Sequence, residues 1–321
     1  MPRTATGAVS RPAVTAGLLA CAVLLLAACS SSGGSAGPPA RTVFVTPSES
    51  PSPLPVPTPT TPPYGPILAK AIAPLDAALA RLPETGDLTA FGAALEDVRA
   101  RATSGSLELE RAQEPAAVST THRQLLVALD ALAEHVTKVQ GEISHRSICA
   151  SSAALARFGQ AEALTTLPAA LQALATAGYP ATLTVPKTGE LQQRSLDNGT
   201  LVREGSRDGE GELTIDNGGG GDAVVSLSKG GKSVHSVYIA KGKTAKVKGI
   251  EDGTYDIYFA GGTDWDSTTK AFTQNCDFSK FDDTMTFETT STYTTWEITL
   301  QAAVGGNATT SDVPEGSYPL P

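Results

Sequence analysis

The apolar residues of this chain repeat with one period up to about residue 178 and with another from residue 211 onward. No single kind of secondary structure accommodates both. Ile67, Leu68, Ile72, Leu75, Leu79 and Leu82 recur every three or four positions, which places them on one stripe of a helix. Pro74 falls inside that stripe, where it should kink the helix or delay its start. After the turn Pro83–Asp87, Phe91, Leu95 and Val98 begin a second helix, with Asp87 or Thr89 as its cap. Leu125, Leu129, Leu132, Val136, Val139 and Ile143 make the longest stripe, with Ser119 as candidate cap. Shorter helices are expected within Ser147–Phe158 and from Thr166 through Leu174, ended by Gly178-Tyr179-Pro180. Residues 66–180 therefore read as an antiparallel helical bundle.

From Gly211 the pattern is period two. Leu213 and Ile215 alternate with Glu212, Thr214 and Asp216, and Asn217–Gly221 turns the chain. Val224, Val225 and Leu227, Val237 and Ile239, Ala245 and Val247, Tyr255–Phe259, Met285 and Phe287, and Tyr293–Leu300 follow, with glycine turns between the earlier runs. Short alternating strands at this spacing predict an antiparallel β-sandwich of about seven strands over residues 211–321, including a C-terminal tail. Residues 181–210 are polar and aperiodic, an interdomain connector with one strand expected near Leu183–Val185. The fold class expected is α+β, in two domains.

The N-terminus is of another kind. Arg3 and Arg11 precede an apolar run from Ala13 to Ala28, which closes on Leu26-Ala27-Ala28-Cys29. A basic start, an apolar stretch and small residues at a cut are the parts of a secretory signal. The last four residues resemble a bacterial lipobox. That resemblance implies removal of residues 1–28, a diacylglyceryl thioether on Cys29, and retention on the outer face of the cell membrane. Two acyl chains anchor stably where one is marginal. An uncleaved transmembrane helix is the competing reading, but the run is shorter than the roughly 20 residues a span needs. Leu18-Leu19-Ala20-Cys21 is a second near-match, and apolar sequence continues past it. Residues 29–65 then read as a lipidated tether rich in Pro, Ser and Thr. At ~3.1 Å per residue, where extended, it would reach up to roughly 100 Å.

Loss of Arg3 and Arg11 with the leader takes the formal net charge from −9 to −11. That balance suits neither nucleic acid nor an anionic lipid surface, so membrane contact is expected through the lipid alone. No cofactor is expected besides the covalent diacylglycerol.

In the β half, Asp216-Asn217-Gly218, Asp222–Val225, Asp252–Tyr255, Tyr258-Phe259, Gly262, Asp264-Trp265-Asp266 and Phe272 stand in order. Phe278, Phe281-Asp282-Asp283, Phe287 and Val304–Ala308 continue the series. Together they resemble an uncharacterised β domain at the C-terminus of bacterial secreted and membrane-anchored proteins. The resemblance implies a β fold and an envelope setting, and no activity.

Candidate chemistry is sparse. His122, His135 and His145 show no zinc spacing. Gly231-Lys232-Ser233 lacks the first glycine of a phosphate loop. Gly33–Gly37 matches a nucleophile-elbow pattern without the strand and helix the elbow needs. Asp264, Asp266, Asp277, Asp282 and Asp283, grouped around one expected long loop between strands, could offer hard oxygen ligands to Ca²⁺; Trp265 could stack on a sugar or anchor that loop by packing. Lysines over Lys229–Lys248 and carboxylates over Glu251–Glu288 are expected to face each other on neighbouring strands, or else to form a docking surface. Cys149 and Cys276 are the two cysteines after Cys29, and outside the membrane they are expected to pair. The function expected is a membrane-anchored, non-enzymatic binding or adaptor protein that meets an envelope protein or cell-wall component. The alternatives are a ligand- or Ca²⁺-binding β module at Asp264-Trp265-Asp266, and a cell-wall hydrolase.

Overall fold

The computed structural model describes residues 63–301 and 308–321; the leader, Cys29, nearly all of the tether and Val304–Asn307 lie outside them. Five helices precede ten strands, so the fold is α+β. The helices are α1 (Tyr64–Arg81), α2 (Leu88–Glu110), α3 (Ser119–Ser144), α4 (Ser151–Phe158) and α5 (Ala163–Thr176). Their predicted stripes are their buried faces. Leu68, Ile72, Leu75 and Leu79 of α1 meet Phe91, Leu95 and Val98 of α2 and Leu125, Leu129, Leu132, Val136 and Val139 of α3 in one cluster. Each such side chain contributes about 1.5–3 kcal/mol by leaving water. Asp87 caps α2, its carboxylate accepting the Ala90 amide at 2.8 Å. α2 approaches α1 so closely at Gly105 that a β-carbon there would stand 3.0 Å from the Ala71 carbonyl oxygen.

Three local expectations shift. α1 begins at Tyr64 and runs through Pro74 rather than starting after it, because the apolar stripe is buried on both sides of the proline and outweighs one missing backbone hydrogen bond. Ser119 is the first residue of α3 and caps nothing; Val118 precedes it without a side-chain bond. α5 starts at Ala163, ahead of Thr166, and encloses Pro168. None of the described helices is long and apolar enough to cross a membrane.

The connector is not the polar spacer its composition suggests. Ala181, Leu183, Val185 and Leu191 pack on the helical core, and the Thr184 amide donates to Asp76 of α1 at 2.6 Å. No strand forms at Leu183–Val185, since those side chains are spent on the helices and no strand lies beside them. The first strand is β1 (Leu201–Arg203) instead.

The others are β2 (Gly211–Asn217), β3 (Asp222–Lys229), β4 (Lys232–Ile239), β5 (Lys243–Ile250), β6 (Gly253–Asp266), β7 (Ala271–Phe281), β8 (Met285–Phe287), β9 (Thr295–Thr299) and β10 (Thr310–Asp312). One sheet has the order β1-β4-β3-β6-β7-β10, with β8 beside β6; a second has β5-β2-β9. The count exceeds seven because β1 and β10, three residues each, carry too little alternation to be seen, and because the apolar residues of the long strand β7 do not keep period two. One pairing is not antiparallel: β9 runs parallel to β2, with Leu213 opposite Trp296 and Ile215 opposite Ile298. β9 is not joined to β2 by a hairpin, so no tight turn dictates its direction.

Leu213, Ile215, Ala245, Val247 and Ile298 of the smaller sheet share a buried cluster with Val225, Leu227, Val237, Ile257 and Phe281 of the larger. The other face of the larger sheet buries Val224, Tyr238, Trp265, Phe272 and Cys276 in a second cluster, against which Cys149, Leu196 and Val202 pack. Two-sided burial is why β3 and β4 are buried almost without interruption along their length, small serines and His235 included.

Leu129→Ala should cost about 2–5 kcal/mol of unfolding free energy through a core cavity, while Leu107→Ala, at a half-exposed site on α2, should stay within about 0.5 kcal/mol. Denaturant midpoints of the two variants check this.

Candidate functional site

β6 and β7 form a hairpin whose four-residue turn, Ser267–Lys270, is held by Asp266. Its carboxylate accepts the amides of Thr268 at 2.8 Å and Thr269 at 3.4 Å. Two residues earlier Asp264 sits in the left-handed region at φ 59°, a conformation that Asp tolerates better than most residues. The bend turns its carboxylate inward, where the side chain keeps 2% of its exposure. There it receives three donors from Arg194, the backbone amide at 2.9 Å, Nε at 2.7 Å and Nη2 at 2.8 Å, together with the Thr273 hydroxyl. The Arg194 guanidinium also reaches Asp266 at 3.4 Å. Burial by itself raises the Asp264 carboxyl, but its hydrogen bonds to Arg194 and Thr273 and the Arg194 charge outweigh that and hold it down at about 2. The same carboxylates hold the Arg194 guanidinium above its ordinary value.

Trp265 is 3% exposed. Its ring meets Phe272 edge-on at 5.0 Å and Tyr238 at 6.0 Å, and its amide donates to the Arg194 carbonyl at 2.9 Å. It anchors the hairpin and offers no open ring face for a sugar. Asp282 and Asp283 are elsewhere. Thr273, which touches Asp264, and Asp282 are nine positions apart along β7, about 30 Å at strand rise. Asp282, just past the end of β7, accepts the hydroxyl of Ser311 in β10. The five acidic-loop residues therefore do not converge: the presumed loop is a tight turn between two long strands, and its inner carboxylates already have a cation of the chain's own. Among the described residues no cluster of His, Cys, Asp or Glu is placed to hold a metal.

The helical part grips the same hairpin. The segment after α3 turns at Arg146, φ 56°, and lies along β7. Ile148 pairs with Gln274, the Cys149 amide donates to the Thr273 carbonyl at 2.8 Å, and the Cys276 amide donates to the Arg146 carbonyl at 3.0 Å. Cys149 and Cys276 stand at disulfide distance, 2.14 Å between sulfurs. The connector holds the hairpin too, Gln274 Nε2 donating to the Gln192 carbonyl at 2.9 Å. The hairpin is thus fastened by a strand-like bridge, a sulfur pair and a buried ion pair.

Elsewhere the charges are also internally answered. β5 lies in the smaller sheet, so Lys246 and Lys248 meet Glu212 of β2 at 3.0 and 3.1 Å rather than the acidic strands of the larger sheet. Only Lys280 and Asp256 pair within the acidic stretch, at 2.8 Å. Three histidines are likewise occupied: His122 Nδ1 bonds the Tyr64 hydroxyl at 2.9 Å, His135 the Arg157 carbonyl, and His145 the Gly141 carbonyl. The fourth, His235 of β4, accepts the Gly205 amide at Nδ1, while its Nε2 is buried without a partner. A cleft of about 420 Å³ that the glycine run did not announce opens beside Gly221, Gly261, Gly262 and Asp277. The Asp277 carboxyl there is raised by loss of water around it and by Asp312, with Arg146 opposing. Asp222 and Asn217 on its wall are spent on the chain itself, on the Tyr238 hydroxyl and Lys241 amide and on the Gly221 and Ile239 carbonyls.

Among protein-family models, curated proteins and solved structures, none matches the chain.

Replacing Arg194 by Met leaves a buried carboxylate without its counter-charge, with only the backbone amide of residue 194 and the Thr273 hydroxyl as donors, and should cost on the order of 3 kcal/mol. The pH dependence changes sign with it. With its folded value lowered from 3.8 to about 2, Asp264 contributes stability that is present above about pH 4 and lost as the pH falls through about 2. Without Arg194 the carboxyl is raised, so its contribution falls as the pH climbs past about 4; urea titrations across pH 2–6 read both. Loss of the sulfur link in Cys276→Ser should cost about 4–5 kcal/mol on a chain-entropy account, and mass spectrometry of unreduced protein should find no free thiol at Cys149 or Cys276.

Proposed function

We propose that the chain is a membrane-anchored extracytoplasmic lipoprotein that works as a non-enzymatic binding or adaptor protein of the cell envelope. In this reading the diacylglycerol on Cys29 holds it at the membrane and the Pro/Ser/Thr tether supplies reach. The five helices are an antiparallel bundle, and the two sheets are the layers of a β-sandwich of the kind the ordered β-half motifs resemble. The shared apolar cluster between the sheets supports that arrangement.

One observation carries the binding role. While Trp265, Tyr238, Tyr255 and Phe287 are buried, Tyr293 and Trp296 are 50% and 38% exposed. Both lie on or just before β9, whose sole partner among the described residues is β2. An edge strand offers unpaired amides and carbonyls to an incoming chain, and half-exposed Tyr and Trp are the side chains enriched where proteins meet. Tight fastening of the helices to the hairpin means such a surface is presented with little ordering cost at the moment of binding. The partner class is an envelope protein or cell-wall component. The Ca²⁺ reading at Asp264-Trp265-Asp266 and the hydrolase reading have no comparable observation behind them.

In-cell crosslinking of the tagged full-length protein, followed by mass spectrometry of what co-purifies, tests this. The double variant Tyr293→Ser, Trp296→Ser should lose most of the captured partner. Equal capture by wild type and variant would remove β9 as the binding edge.

A further inference from the structure

α3 and α5 run antiparallel. Ala131 and His135 of α3 line one hollow with Ala161–Ala163 at the start of α5. Past the far end of α5, Tyr179 meets Tyr64, which is bonded to His122 near the start of α3. Between the two helices a solvent-open groove of about 740 Å³ is lined by Val127, Ala128, Ala131, Ala163, Ala170 and Ala173 among others. Val127, 69% exposed, is the most exposed of the large apolar side chains among the described residues. At helical rise the groove is roughly 16 Å long, three turns. Walls of alanine let another helix approach to about 8 Å.

The groove is also polar in a directed way. Arg123 lines it toward the start of α3, and Glu162 lines it at the opposite end, where α5 begins. Neither takes part in an ion pair among the described residues. Glu134 and Lys138, beyond Glu162, bring one charge of each sign and so no net charge to that end. The groove therefore has one positive end, one negative end and an apolar middle.

We propose that a second copy of this chain docks in the groove, about a two-fold axis through its middle. A two-fold operation reverses the groove's direction, so Arg123 of each copy meets Glu162 of the other, and one self-complementary patch forms two identical ion pairs. Val127, near the middle, enters the alanine-lined groove of the second copy and loses its exposure. An apolar chain or a helix of one charge sign would fill the middle and leave one end unanswered. The second copy answers both.

The test uses full-length protein in a nonionic detergent, with self-association measured by sedimentation and by co-purification of two differently tagged copies. Wild type should dimerise. Arg123→Glu and Glu162→Arg should each weaken dimerisation by at least about tenfold, since each places like charges opposite one another twice. Both positions are exposed, so thermal unfolding of the separate variants should stay close to wild type and report intact folding. A mixture of the two single variants should regain association as a heterodimer, because each mixed pair again joins Arg to Glu; the double variant should regain it as a homodimer. A monomeric wild type, undiminished association of the single variants, or a mixture that fails to recover would each overturn the proposal.

Discussion

A carboxylate with almost no access to water needs a counter-charge, and much of the chain between helices and sheets serves to bring Arg194 to Asp264. Desolvating such an ion costs several kcal/mol unless hydrogen bonds and an opposite charge replace the lost water. Asp264 has both, in three donors from Arg194 and the hydroxyl of Thr273. Arg194 reaches it because the connector is already laid down: Leu183, Val185 and Leu191 are seated on the helices, so the chain arrives at the hairpin along one path. The left-handed turn at Asp264 and the register shift between Gly261 and Thr263 aim the carboxylate at that path. Backbone strain of this kind persists only where the surroundings over-determine it, and here they do.

The second fastening complements the first. Where the ion pair ties the connector to the hairpin, the Arg146–Cys149 segment adds backbone hydrogen bonds and the Cys149–Cys276 link along β7. Burial of Trp265, Phe272 and Tyr238 beneath these contacts gives the larger sheet a second apolar face. A sheet covered on both sides can stay long, and β6 and β7 are the longest strands in the fold. Among the described residues, exposed aromatic and apolar side chains stand at β9 and in the α3–α5 groove, whereas the acidic turn is closed on itself.

Much of this was readable along the chain because it is local. The helical stripes of α1, α2 and α3 and the alternation of β2 are set by neighbours within a few positions, and their side chains took the burial the period predicts, apart from Ile67 and Ile143 at the stripe ends, which are half-buried. The Asp87 cap and the glycine turns are equally short-range. Pro74 does not delay α1, because a packed stripe on both sides of it outweighs one missing backbone hydrogen bond, a balance absent from the local sequence. Asp264 misleads for the opposite reason: its type suggests an exposed ligand, and the residue that neutralises it lies 70 positions upstream, within an aperiodic polar stretch. Trp265 could be foreseen as a packing anchor, but not the rings it packs on.

The sequence by itself determined that helices come first and strands second, and which faces are apolar; the expectation that Cys149 and Cys276 meet came from counting the cysteines after Cys29. Those properties depend on periodicity and on counting. Tertiary structure alone decided the parallel course of β9 beside β2, the use of the connector as a strap, and the conversion of an acidic motif into an internal ion pair. Each of those brings together groups far apart in the chain, and the free energy of burying a charge or pairing a strand edge depends on what stands opposite, which no local pattern encodes.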